Sequence, residues 1–159
     1  MLSFKKIIYG VFLLISACSF SPLYTDQNSA KLAGQISIQK PHTQNEFVFY
    51  SHLIDRFNES GNKYILNYTV STSKEDRALN LDGVVHRIEI FGSVKFSLKD
   101  SISGLELLSD KEEMYLTYSN FGSTAAVLNA ERTTNKQLVV LLADKVADRV
   151  SIVIVEKGL

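Results

Sequence analysis

One cysteine, Cys18, is the only thiol in the chain, so no disulfide can close within it. There are two prolines, Pro22 and Pro41, and neither a low-complexity run nor an internal repeat. No apolar run is long enough to be a permanent membrane anchor. The longest spans eleven residues, Ile7 to Ala17, where about 20 are needed to cross a hydrocarbon core. A strong charge of either sign is also absent, because 17 basic side chains meet 17 acidic ones. The chain therefore has no global basic field to bind nucleic acid. A glycine-rich phosphate loop, GxSxG and HExxH are all missing, which removes the motifs that most directly announce an enzyme.

What is present begins at the amino terminus. Lys5 and Lys6 precede the apolar stretch IIYGVFLLI, and Ser16-Ala17 follows it. A positive region, a short apolar core and small residues make the three-part form of a secretory signal peptide. Ile15-Ser16-Ala17-Cys18 resembles the bacterial lipobox, which implies that Cys18 becomes the first mature residue and carries acyl chains. Each buried methylene contributes roughly 0.8 kcal/mol, and two or more chains anchor firmly where one does not. An acylated Cys18 leaves no thiol for metal binding or nucleophilic catalysis. Ser19, which is not aspartate, favours outer-membrane over inner-membrane sorting by resemblance to Gram-negative lipoproteins.

Removing residues 1–17 leaves 15 basic against 17 acidic side chains, a formal charge of −2 on 142 residues. That length suits one domain with a real core. Residues 18–33 read as a lipidated tether and 34–159 as a single domain. Gly34 to Gln39 forms a short alternating strand. Thr43-Gln44-Asn45-Glu46 matches a capping box, and Phe47, Tyr50, Ile54 and Phe57 then recur at helical spacing, with Ser60-Gly61-Asn62 as the stop. YILNYTVS alternates as a strand. From Val84 to Lys99 one set holds Val84, His86, Ile88, Ile90, Val94, Phe96 and Leu98, and the other holds polar residues, so a long strand has one dry and one wet face. Gly92 marks a bulge or bend in it. Asp100 to Gly104 turns the chain into a fourth strand whose alternation falters at Ser109 to Glu113, where a bulge is expected. A second helix spans about Thr124 to Val155, with Thr133-Thr134-Asn135 as a bend. The fold class is α+β: a four-stranded, mainly antiparallel sheet with two amphipathic helices on one face, in the order strand-helix-strand-strand-strand-helix.

No catalytic constellation emerges. His42, His52 and His86 fall on a loop, a helix and a strand, and His86 reads as a core histidine. The neighbours Glu112 and Glu113 face opposite ways on a strand. No cofactor or metal is implied. The remaining chemistry lies on the wet face, where Arg87, Lys95 and Lys99 share one strand and Lys111 joins from the next. Such a row is either a solvated face or a surface for anionic lipid or a partner protein.

CSFSPLY, Cys18 to Tyr24, resembles the mature start of LPS-assembly lipoproteins of the LptE family. The stretch TYSNFGSTAAVLNAERTTNKQLVVLLADKVADRV and the element order are similar to that family as well. Ser19 departs from it, since glycine usually follows the cysteine. The resemblance implies a non-enzymatic outer-membrane lipoprotein that partners and plugs an LptD-type β-barrel and binds lipopolysaccharide. Arg87, Lys95, Lys99 and Lys111 are the candidate binding residues on chemical grounds. The competing readings are a different periplasmic adaptor, such as a cell-wall synthase activator or transport accessory, and a lipid-modified hydrolase.

Overall fold

A computed structural model describes residues 34–58, 61–79 and 85–157. The leader, Cys18 and the tether lie outside the described residues, as do Val84 and the side chain of His86. The elements are β1 (Ile36–Ile38), α1 (Gln44–Phe57), β2 (Tyr64–Leu79), β3 (Val85–Asp100), β4 (Glu106–Ser119) and α2 (Thr124–Glu156). They form an open sheet in the order β1-β2-β3-β4. β1 runs parallel to β2, and the other pairings are antiparallel. Both helices cover one face, α1 over β1 and β2 and α2 over β3 and β4, with the helices touching each other. The expected fold class is thus observed.

The capping box starts α1 as its residues dictate. Thr43 Oγ1 accepts from the Glu46 amide at 3.2 Å, and Glu46 Oε2 accepts from the amides of His42 at 2.8 Å and Thr43 at 3.3 Å. These bonds explain why Glu46 is buried although charged. The helix ends sooner than expected. Asn58 adopts a left-handed conformation at φ 48° and donates its amide to Ile54 O, a cap that asparagine tolerates better than most residues. Its buried stripe is Phe49, Leu53 and Phe57, whereas Phe47 faces solvent. Docking against α2 and the sheet selects a stripe rotated from the expected one.

α2 is continuous through Thr133–Asn135, so these weak helix formers do not interrupt it. Asn135 Nδ2 donates to Asn45 Oδ1 at 2.7 Å, and Asn45 Nδ2 donates to Thr72 Oγ1 at 3.1 Å. The weak helix former is there to tie α2 to α1 and β2. Below it Leu138, Leu142, Val146, Val150 and Ile154 are buried against the sheet. They meet Ile90, Val94, Phe96 and Leu98 of β3 in the same core, each worth about 1.5–3 kcal/mol of burial.

Two expected bulges prove to be something else. The β3 ladder runs through Gly92 without a shift, pairing it with Thr72 and Met114. Gly92 lies on the dry side under α2, where an added Cβ would sit 2.9 Å from Leu138 Cδ2 and Leu142 Cδ1. It is a close-approach glycine. The β4 register is likewise unbroken from Leu108 to Ser119, and the shift falls at Leu98/Lys99. The alternation falters because Asp110 and Glu112 point inward on an edge strand, where α2 answers them. Arg149 Nε lies 3.2 Å from Asp110 Oδ2, and Lys145 Nζ lies 3.2 Å from Glu112 Oε2. Inward charges on an edge also discourage a further strand from adding there.

Candidate binding face

The outer face of the sheet has no covering element among the described residues. Along β3 it displays Arg87, Glu89, Phe91, Ser93, Lys95, Ser97 and Lys99, and the ladder sets their neighbours. Thr69 and Lys111 flank Lys95, while Ser73 and Tyr115 flank Phe91. Gln39, Asn67, Thr69, Lys95, Ser97, Ser109, Asp110 and Lys111 are among the residues lining an open depression of about 480 Å³.

Lys95 and Lys111 stand directly opposite each other across β3 and β4. Like charges in that relation destabilise a sheet. Lys111 is ion-paired with Glu113 on its own strand. Lys95 is exposed and has no hydrogen-bond or ion-pair partner among the described residues. Beneath them, the Lys111 amide and the Arg149 guanidinium hold the Asp110 carboxyl below its usual range. That carboxylate is turned to the helix side and paired there with Arg149, which leaves Glu113 as the acidic partner of Lys111 on the outer surface.

The four candidate residues do not form one cluster. Lys95 and Lys111 are neighbours. Lys99 lies four residues along the same face, about 14 Å away, and approaches Glu106 at 4.0 Å. Arg87 is eight residues from Lys95 in the other direction, about 27 Å away, opposite Ser119. Sequence periodicity had put Asn67 and Thr69 on the polar face. Gln39 was missed, because nothing local announces that β1 pairs parallel with β2.

Chemically, two ammonium groups over hydroxyls and amides form a surface for phosphate or carboxylate groups. No described group of three His, Cys, Asp or Glu side chains is placed to hold a metal. No described helix is long and apolar enough to cross a membrane.

No family model and no curated protein matches this chain. Solved structures do. A Caulobacter crescentus chain assigned as a lipoprotein matches at a TM-score of 0.66 and 20% identity, covering 82% of this chain and 97% of the other. Rare lipoprotein B from Shewanella oneidensis matches at 0.62 and 17%, covering 79% and 98%. Lipoprotein B from Nitrosomonas europaea matches at 0.62 and 15%, covering 75% and 83%. The chain therefore has the fold shared by these bacterial lipoprotein structures. That fold is the one seen in rare lipoprotein B.

Proposed function

We propose that the protein is a non-enzymatic outer-membrane lipoprotein of the LptE type, anchored through acylated Cys18. In this reading it partners and plugs an LptD-type β-barrel and assists assembly of lipopolysaccharide at the outer surface. The fold shared with rare lipoprotein B and other bacterial lipoproteins supports the lipoprotein part of this reading, and the CSFSPLY resemblance supports the LptE part. A polar, uncovered sheet face suits the hydrated interior of a barrel, and a firm α+β body with two docked helices suits a plug.

The observation that carries the lipopolysaccharide role is the opposed pair Lys95 and Lys111 over the depression. Unliganded, the two ammoniums repel, and among the described residues only Lys111 has an acidic partner, Glu113. An anionic group between the two ammoniums reverses the sign of that interaction and adds charge-assisted hydrogen bonds, each worth about 1.5–3 kcal/mol. The test is a titration of the full chain with purified lipopolysaccharide. The double variant K95E/K111E is expected to bind at least about tenfold more weakly, a loss of about 1.4 kcal/mol. R87E, far along the face, is expected to bind within about twofold of the unaltered chain. Unchanged binding by the double variant, or equal loss in R87E, would remove the Lys95–Lys111 site from the account.

A further inference from the structure

The turn between β3 and β4 holds an apolar tip in a fixed shape. Asp100 Oδ1 accepts from the amides of Ile102 at 3.1 Å and Ser103 at 2.7 Å, and from Ser103 Oγ at 2.8 Å. Gly104 takes φ +69°, which glycine adopts without strain, and returns its amide to Asp100 O at 2.9 Å. The outcome is an ordered turn with Ile102 93% exposed and Leu105 63% exposed. Isolated surface aliphatics are ordinary. Here the turn bonds fix a convex apolar point, and its ordering cost is already met by the fold.

The place of this tip matters. Ser101 donates its amide to Lys63 O at 2.9 Å, Tyr64 donates to Gln35 O at 3.0 Å, and Gly34 donates to Phe57 O at 2.9 Å. The tip therefore lies at the end of the domain where the polypeptide arrives from Cys18. Fifteen residues lie between Cys18 and Gly34, and the sixteen Cα–Cα steps across them reach no more than about 58 Å even fully extended. β3, at 16 residues, is about 54 Å long. The chain from an anchor at Cys18 thus enters the domain at this end, which lies nearest the bilayer unless the tether is almost fully extended.

The charges around the tip suit a headgroup layer. Lys63 and Lys99 flank it, with Glu106 at 4.0 Å from Lys99. The Asp100 carboxyl is held below its usual range chiefly by the Ser103 amide and hydroxyl, so its charge is directed into the turn. Lysine stems can follow apolar surface while their ammoniums reach phosphates.

We infer that the β3–β4 turn is a membrane-contact element, with Ile102 and Leu105 entering the lipid interface and Lys63 and Lys99 meeting the phosphates. The inference rests on the anchored-lipoprotein reading. It goes beyond that reading by fixing which end of the domain touches lipid.

The chain contains no tryptophan, so Ile102→Trp and Phe121→Trp each create a single reporter. Phe121 is 79% exposed and follows β4 at the opposite end. Full-length acylated protein is reconstituted into phosphatidylethanolamine–phosphatidylglycerol vesicles, and flotation is scored separately from fluorescence. The expected result is flotation of both variants, with a blue shift and quenching by acyl-brominated lipid for I102W alone. Flotation without quenching of I102W overturns the membrane contact and leaves the anchor standing. Equal quenching of both reporters overturns the assigned end. A shift of I102W that appears only when a β-barrel protein is added overturns it too, and makes the tip a protein contact. Failure to float removes the anchored reading, and the inference with it.

Discussion

Replacing Gly92 with alanine sets two effects against each other at one atom. Alanine in a strand interior gains about 0.5–1 kcal/mol over glycine, largely by restricting the unfolded chain. The same Cβ would lie 2.9 Å from Leu138 Cδ2 and Leu142 Cδ1 and 3.1 Å from Leu138 Cγ. Comfortable carbon contacts are about 3.5–4.0 Å, and both leucines are fully buried with little room to retreat. Overpacking of this kind costs about 1–3 kcal/mol. The clash is expected to win, leaving G92A about 1–2 kcal/mol less stable. For a domain of this size that is a fall of about 4–8 °C in Tm, measured by circular dichroism of the full chain. Leu138→Ala provides the check. Alone it is expected to cost about 2–5 kcal/mol, but combined with G92A the losses should fall short of additive by about 1–2 kcal/mol, because the new methyl fills part of the vacated space. A G92A chain as stable as the parent, with strict additivity in the double variant, would refute the close helix–sheet contact.

Three further outcomes are expected. Tyr64 is fully buried and its hydroxyl has no hydrogen-bond partner among the described residues, so Tyr64→Phe should raise stability by about 1 kcal/mol in urea unfolding; a loss would show that the hydroxyl is satisfied. Lys95→Thr removes the cross-strand repulsion with Lys111 and should stabilise the isolated protein by about 0.2–1 kcal/mol while weakening lipopolysaccharide binding. A destabilised K95T would mean that the lysine is structural. The bond from Lys74 and its charge hold the Glu131 carboxyl below its usual range, and a lowered folded-state value means that its stability contribution is present above the unfolded value and lost as pH falls through the folded one. Stability should therefore decline below about pH 4, and Glu131→Gln should flatten that decline; an identical acid slope in E131Q would contradict the pairing.

The parts of the fold readable from sequence are those governed by local pattern. The alternation of Ile88 to Leu98 and the capping box at Thr43 each require only residues close in sequence. The unreadable parts depend on partners distant in sequence. β2 extends to Leu79 beyond the alternating YILNYTVS, and in that extension Lys74 is bonded to Glu131 of α2 at 2.8 Å. Asp110 and Glu112 mimic a register break only until Arg149 and Lys145 are placed above them. Gly92 similarly resembles a bulge until α2 is laid across it. At the binding face, periodicity put Lys95, Lys99 and Arg87 on one side correctly. It could not show that the antiparallel register sets Lys111 against Lys95 and leaves Arg87 about 27 Å away.

The proposed role depends on an obligate barrel partner. Capture of the tagged full-length protein from outer membranes in mild detergent, with the bound proteins identified and quantified, addresses that dependence directly. The account predicts one large β-barrel protein in near-equal amount. Recovery of the lipoprotein alone, or with an inner-membrane or cell-wall enzyme, would contradict it and favour the adaptor.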